Sequence, residues 1–331
     1  MVELVFFVLG SMIGSFLNVC IVRMPQEKSI VFPASHCVHC QRSIAWHDNI
    51  PIFGWLMLMG KCRHCKGSIA YLYPVVELLT GIVFVLFYKA FGLQMVLLPY
   101  LFMAGCFIVS TIVDLKHRII PDEISIGGMF FGIGFSILVP ALHAQEFPNV
   151  LLAGFIAGLI VLLCLGLILI YPIFCKHLME EQDPSDDREI KVLVACSLLA
   201  IALINFFMLQ IPGAILPFAL SLSAALSGYI IGGGIIYVMG LMGDIIFKKE
   251  SMGGGDVKLM ALVGAFLGWK LAVLTFFLAP FFGAVFGIIE KIRTKDSTIA
   301  YGPFLVAGAL VSLFYGNAII NWVLRGGIYG Y

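Results

Sequence analysis

Long apolar runs constrain this chain more than any other feature of its sequence. Several runs reach the roughly 20 residues that an α-helix needs to cross a bilayer, interrupted only by Gly, Pro and Ser. Of the 331 residues, 61% are hydrophobic and 12% are charged, whereas soluble domains carry about 25% charged residues. Continuous hydrophobicity favours helices over the alternating strands of an outer-membrane barrel. We therefore predict an all-α polytopic integral membrane protein.

The runs predict about ten transmembrane helices. These spans cover residues 4–22, 71–88, 94–113, 124–142, 150–174, 192–211, 215–246, 257–268, 271–289 and 303–323. The run 215–246 is long enough to be tilted or broken at Gly232, Gly233 and Gly234, and 257–268 is short for a crossing. The predicted parts of the chain are a first helix (1–22), a loop domain (23–70), helices within 71–147, a helix pair (148–212) and the remaining helices (213–331).

The basic residues predict an orientation with the N-terminus outside the cytoplasm. All but three of the 20 Lys and Arg then lie in cytoplasmic segments, the exceptions being Lys89, Lys270 and Arg325. The N-terminus lacks the basic region and cleavage site of a secretory signal peptide, so we expect the first span to be an anchor. The net charge of +1 indicates no nucleic-acid partner.

Two CxxC pairs lie in the polar segment between the first two spans. SHCVHC and GKCRHC supply Cys37, Cys40, Cys62 and Cys65. Such pairs can hold a tetrahedral zinc ion, which would provide much of the folding energy of so short a segment. The alternative is redox chemistry, with the pairs as disulfides or as a dithiol exchange centre. The predicted cytosolic location favours structural zinc, because lasting disulfides are disfavoured there.

Two aspartates stand at the ends of predicted spans, where charge is expensive. Asp114 ends the third span in TIVDLKHRIIPD, and Asp256 begins the eighth in ESMGGGDVKLMALVGAFLG. Taken singly, Asp256 can be a helix N-cap and Asp114 an interfacial residue. As a pair at the cytoplasmic face, they can share a proton and activate water for attack on a peptide carbonyl. Gly253, Gly254 and Gly255 would allow unusual backbone angles and the close approach of a substrate strand.

Taken in order, these motifs resemble those of the bacterial prepilin peptidases, or type IV leader peptidases, which are GxGD membrane aspartic proteases. The matching segments are GSFLNVCIVRMP, the CxxC pairs, YPVVELLTG, DLKHRIIPD, MGGGDVKLMALVGAFLG and YGPFLVAGA. The resemblance implies that Asp114 and Asp256 form the catalytic pair. It implies cleavage of type IV prepilins or type II secretion pseudopilins after a glycine, at the cytosolic face of the bacterial inner membrane. It also implies N-methylation of the new N-terminus with S-adenosylmethionine.

The methyltransferase site has weaker sequence signals. The chain has no glycine-rich Rossmann fingerprint, so S-adenosylmethionine would bind at the membrane face. By resemblance and position, Glu77 and the cysteine loop are the candidates for this site, and an ion pair with Lys or Arg is the alternative role for Glu77. His36 lies beside the first CxxC pair, His39 and His64 lie inside the two pairs, and all three are alternative zinc ligands.

One segment departs from the usual length of the family. The spans 150–174 and 192–211, with the acidic loop EEQDPSDD between them, are additional, and their even number preserves the orientation downstream. Three other classes of protein remain as alternatives: a thiol oxidoreductase that uses the CxxC pairs, a cation or proton transporter that uses the two aspartates, and a structural membrane subunit. The expected partners are prepilin substrates and the lipid bilayer, and the sequence leaves the oligomeric state open.

Overall fold

The structure is a computed structural model. It describes residues 1–150, 152–153, 155–160, 163–164, 215–248, 252–294 and 300–324. Within these ranges the regular elements are helical, as predicted. The chain divides into two compact units, Met1–Pro121 and Asp122–Tyr331.

The first unit is built on three long helices: α1 (Val2–Arg23), α3 (Leu72–Phe91) and α4 (Leu97–His117). Between α1 and α3 lies the cysteine loop, which contains the short helix α2 (Phe53–Met57). Helices α1 and α3 pack closely, because a Cβ on Gly10 or Gly14 would lie 2.8 Å from atoms of α3. These glycines therefore permit the close approach of two helices, as small residues do in lipid.

The second unit contains α5 (Asp122–Leu138), α6 (Leu216–Phe247), α7 (Gly254–Leu267), α8 (Trp269–Thr294) and α9 (Gly302–Leu324). A 3₁₀ segment, Pro140–Asn149, follows α5. Helix α7 is enclosed by the others, and its residues 259–267 are all buried. Gly228 of α6 and Gly264 of α7 are in backbone contact, so that a Cβ on either glycine would collide with the other's carbonyl group.

The predicted count of ten spans is not confirmed. Among the described residues, five helices are long and apolar enough to cross a membrane: Val2–Gln26, which extends α1, together with α3, α4, α6 and α9. A sixth crossing is possible if α5 and Pro140–Glu146, bent by 89° between them, form one span. The predicted pair 150–174 and 192–211 lies largely outside the described residues.

Three predicted spans differ in detail from the observed helices. Helix α6 runs unbroken for 32 residues through its central glycines, so the break that we considered there is absent. Helix α7 has 14 residues and is too short to span a bilayer alone. Helix α8 contains Pro280 and covers Trp269–Thr294, so it extends beyond both ends of the predicted span 271–289.

An enclosed ion pair holds the turn between α7 and α8. Lys270 Nζ lies 3.4 Å from Glu146 Oε2, and the side chains are 27% and 7% exposed. Glu146 packs against Gly268, which ends α7 with a φ of +78°. The 3₁₀ segment is thereby attached to the end of α7.

We predict that Lys270→Met destabilises the protein by about 2–3 kcal/mol, because it leaves the buried Glu146 carboxylate without its cation. Thermal or denaturant unfolding in detergent measures this change. Lys89→Met is the control, since Lys89 and Glu3 pair at 3.2 Å with both side chains more than half exposed. We expect the control to change stability by less than about 1 kcal/mol. Equal losses in the two variants would contradict the prediction.

Candidate functional site

The four predicted cysteines form one cluster. The sulfur atoms of Cys37, Cys40, Cys62 and Cys65 all lie within 4.8 Å of one another, and the thiols are free. The histidines considered as alternative ligands are not part of this cluster. Four sulfurs this close together could hold one metal ion, as two CxxC pairs do in structural zinc sites.

Each CxxC pair is folded into the same local turn. The N–H of Cys37 donates to the Arg42 carbonyl, and the N–H of Cys62 donates to the Gly67 carbonyl. In both turns the residue after the second cysteine has a positive φ, 58° at Gln41 and 59° at Lys66. The repeated geometry presents two sulfurs from each turn to a common point.

The electrostatics of the cluster favour a bound cation. Backbone N–H groups of Cys65 and His64 lower the pKa of Cys62 to about 6. The pKa of Cys65 is raised to about 11: an N–H of Gly67 lowers it, but desolvation and the neighbouring cysteines outweigh that bond. A second negative charge beside the first is therefore unfavourable, and a metal ion that holds four thiolates must supply the compensating charge.

A second contact stabilises the cysteine loop. Arg63 donates two hydrogen bonds to Asp48, from Nε at 2.7 Å and from the guanidinium terminus at 2.5 Å. The hydrogen bonds from Arg63 lower the pKa of Asp48 below its usual range. The second CxxC turn is thus tied to the segment that precedes α2.

The first unit contains a cavity of about 630 Å³ between the cysteine loop and helices α1 and α3. Its walls include Asn18 and Arg23 of α1, Tyr73 and Glu77 of α3, and Trp55 of the loop. This volume lies within the range of small-molecule and cofactor sites. The walls combine aromatic rings with groups of both charges, as recognition of a charged organic ligand requires.

Glu77 lies in this cavity wall and contacts the loop. Its side chain is buried, and Oε2 accepts a hydrogen bond of 2.7 Å from the N–H of Ile52. Ile52 has a φ of +64°, which is unfavourable for a β-branched residue and needs support from its surroundings. This carboxylate is therefore held by the backbone N–H of Ile52 and by the side chain of Ser15, whereas the sequence suggested Lys or Arg.

Asp114 lies in the last turn of α4, in the first unit. It is 6% exposed, and Val113 before it is fully buried. Its carbonyl accepts the N–H of Arg118, which ends the helix in the left-handed conformation with a φ of 56°. The aspartate thus sits at the very end of a well-packed helix.

Asp256 lies in the first turn of α7, in the second unit, and is partly exposed. Gly253 is the N-cap of α7, so the interpretation of Asp256 as the helix N-cap is wrong. Gly253 has an ordinary extended conformation (φ −71°, ψ 139°), and Gly254 and Gly255 are not among the glycines with positive φ. The expected unusual backbone angles are therefore absent. A Cβ on Gly254 would meet nothing within 4 Å, so space is open beside the helix start.

Two neighbours of Asp256 were missed by the sequence reasoning. Lys258 Nζ lies 2.9 and 3.0 Å from the two carboxylate oxygens of Asp122, at the start of α5. Tyr301 precedes α9, and burial together with the charge of Asp256 raises its pKa to about 12. Lys258 and Asp122 are 136 positions apart in the sequence, so no local pattern predicts their ion pair. Tyr301 is the first residue of YGPFLVAGA, one of the segments that carry the family resemblance.

Comparisons with known proteins agree with these features. The family described as "Bacterial Peptidase A24 N-terminal domain" matches residues 8–91, and the "Type IV leader peptidase family" matches residues 186–288. The first match contains the four cysteines and Glu77, and the second contains Asp256. Asp114 lies between them.

Curated relatives cover most of the chain. A prepilin leader peptidase/N-methyltransferase of Myxococcus xanthus is 29% identical over 288 residues, which are 87% of this chain and 63% of that protein. A type 4 prepilin-like proteins leader peptide-processing enzyme of Escherichia coli is 27% identical over 323 residues, 92% of this chain and 91% of the relative. A prepilin leader peptidase/N-methyltransferase of Stutzerimonas stutzeri is 28% identical over 338 residues, 94% and 90% of the two chains.

No solved structure matches the chain. The two family matches nevertheless follow the order of the sequence motifs. The match to residues 8–91 lies in the first compact unit, and the match to residues 186–288 lies in the second. The relatives extend across both units and carry the same kind of name. In sequence, segments of both compact units therefore match the type IV leader peptidase family and its bacterial N-terminal domain.

Proposed function

We propose that this protein is a membrane aspartic endopeptidase that removes the leader of type IV prepilins or type II secretion pseudopilins after a glycine. We propose that it also N-methylates the new N-terminus with S-adenosylmethionine. The observation that carries the proposal is the similarity, over both units, to relatives that are named for both activities. The placement of Asp256 beside open space at the start of a buried helix supports it.

For the peptidase reaction, we propose Asp114 and Asp256 as the catalytic pair. One carboxylate, ionised, takes a proton from water, and the oxygen of that water attacks the scissile carbonyl. The other carboxyl group, protonated, donates a hydrogen bond to the carbonyl oxygen. Collapse of the tetrahedral intermediate breaks the C–N bond, and a proton passes to the leaving amine. The same steps hold for either assignment of the two roles.

Gly253, Gly254 and Gly255 are proposed to receive the substrate backbone. The open space at Gly254 supports this role, although their conformation is ordinary. An extended substrate strand needs an approach without side chains to bring its carbonyl to a carboxylate. Lys258 is not part of this surface, because its ammonium group is engaged by Asp122.

For methyl transfer, we propose the cavity of the first unit as the cofactor site. S-adenosylmethionine supplies a methyl group to the amine nitrogen of the cleaved substrate. The cavity has the volume for such a molecule, and its residues fit the charges: Glu77 would face a cation, Arg23 a carboxylate, and Trp55 an aromatic ring. Zinc, held by the four cysteines, would stabilise the loop that closes this cavity rather than take part in the reaction.

The proposed location is the bacterial inner membrane, with the N-terminus outside and the cysteine loop in the cytosol. The basic residues support this orientation, because all but three of the 20 would then face the cytoplasm. Free thiols within one cluster fit a reducing compartment.

We expect Asp114→Asn and Asp256→Asn each to lower the rate of leader cleavage by about 10²- to 10⁴-fold, since an amide cannot transfer the required proton. Purified protein in proteoliposomes, incubated with a prepilin, gives this rate by mass spectrometry of the product. Asp244→Asn, at a carboxylate in α6 that has no proposed role, is the matched control. Wild-type rates in either variant would refute the carboxylate pair.

We expect Glu77→Gln to weaken S-adenosylmethionine binding by about tenfold or more while leader cleavage stays normal. The amide oxygen can still accept the N–H of Ile52, so the loop stays attached and only the charge is lost. Titration calorimetry measures the binding, and labelled S-adenosylmethionine measures transfer to the product. Glu3→Gln is the control at an exposed carboxylate. Unchanged binding in Glu77→Gln would remove this residue from the cofactor site.

We expect purified wild-type protein to contain one zinc ion per chain, and Cys62→Ser to lose most of it, because a four-thiolate site tolerates few ligand losses. Elemental analysis measures the metal. Cys106→Ser, at a buried cysteine of α4 outside the cluster, should keep the metal. Metal-free wild-type protein with the four cysteines joined as disulfides would favour the redox alternative.

A further inference from the structure

The segment from residue 46 to residue 59 is strongly apolar, although it belongs to the loop that the sequence marks as polar. It reads WHDNIPIFGWLMLM. Trp46 is 82% exposed, Phe53 64%, Met57 76% and Met59 84%. Exposure of this many large apolar side chains within so few residues indicates a surface that something covers.

This segment is an ordered element. Gly54 packs so closely on the carbonyl of Asp48 that a Cβ would collide with it. Trp55 turns inward and donates its indole N–H to the carbonyl of Ile69 at 3.1 Å. The fold thus holds one part of the segment against the loop and keeps Phe53, Leu56 and Met57 on its outer side.

The contact between Ile52 and Glu77 fixes the position of this segment along α3. Glu77 is the sixth residue of α3, whose 20 residues span about 30 Å, the thickness of the bilayer core. Helical side chains lean towards the helix N-terminus. The 2.7 Å bond therefore places Ile52 level with the first two turns of α3, near one end of a helix that is long and apolar enough to cross the bilayer. Helix α2 begins at the next residue.

We propose that residues 46–59 form an interfacial segment, whose exposed Phe53, Leu56, Met57 and Met59 insert into the lipid leaflet on the side where the loop lies. Apolar side chains of this kind, with Trp at the edge, are typical of segments that bury one face at the boundary between head groups and acyl chains. The cysteine loop is then seated on the membrane by lipid contact as well as by its two flanking helices. This proposal does not depend on the enzymatic function.

Photocrosslinking to lipid tests the proposal in the full-length protein. The Met57→p-benzoylphenylalanine variant is prepared in nanodiscs of phosphatidylethanolamine and phosphatidylglycerol and irradiated. Mass spectrometry then measures the fraction of protein that carries a lipid adduct. Val38→p-benzoylphenylalanine is the matched control, because Val38 is also exposed (65%) but lies in the first CxxC turn, outside the segment. We expect at least about fivefold more lipid adduct at position 57 than at position 38.

A second position guards against a variant that fails to fold. Phe53→p-benzoylphenylalanine replaces one aromatic side chain by another, and metal content and thermal unfolding show whether each variant is native. Lipid adducts at both 53 and 57 support the interfacial segment. Adducts to a second copy of the chain or to another part of the same chain, or equal lipid labelling at 38 and 57, would overturn it.

Discussion

The backbone contact between Gly228 of α6 and Gly264 of α7 fixes the helix that carries Asp256. Neither position has room for a Cβ, so the two helices meet at a distance that no other residue type permits. The surrounding residues of α7, from 259 to 267, are fully enclosed. A 14-residue helix that cannot cross the bilayer is stable here because the rest of the unit encloses its apolar side chains.

Both ends of α7 are also fixed by charge. Lys258 is bound to Asp122 near its start, and Lys270 is bound to Glu146 just beyond its end. These contacts join α7 to the start of α5 and to the segment that follows α5. Asp256, two residues before Lys258, is therefore held in place by packing and by ion pairs. Under the proposed function, this support would limit the displacement of a catalytic carboxylate, because small displacements are costly in rate.

The sequence predicted the elements with strong local signals. The four cysteines were found because their spacing is sufficient to define a metal cluster, and the long apolar helices because each run fits a crossing. The enclosure of α7 could not be predicted, since an apolar run does not show whether its neighbours are helices or lipid. The partner of Glu77 was missed because a backbone N–H leaves no mark in the sequence, and its position depends on the fold around Ile52.

The polar character assigned to the loop was also incomplete. Its Cys, His, Lys and Arg residues indicate a polar loop, and the apolar stretch from Trp46 to Met59 is too short to be predicted as a span. The length of an apolar run therefore indicates whether a segment can cross the membrane. It does not distinguish a segment at the membrane surface from a segment in water. The exposure of the side chains, which the structure provides, is the observation from which we propose a position at the membrane surface.

Under the proposed function, the loop and Glu77 meet a specific chemical requirement. The amine released by cleavage has a pKa near 8, so at neutral pH it must lose a proton before its lone pair can accept a methyl group. A buried carboxylate in the cavity wall can favour a cationic methyl donor and can also accept that proton. The same side chain also accepts the N–H of Ile52, a hydrogen bond that does not require the negative charge. Under the proposed function, one residue therefore serves both the cofactor site and the attachment of the loop.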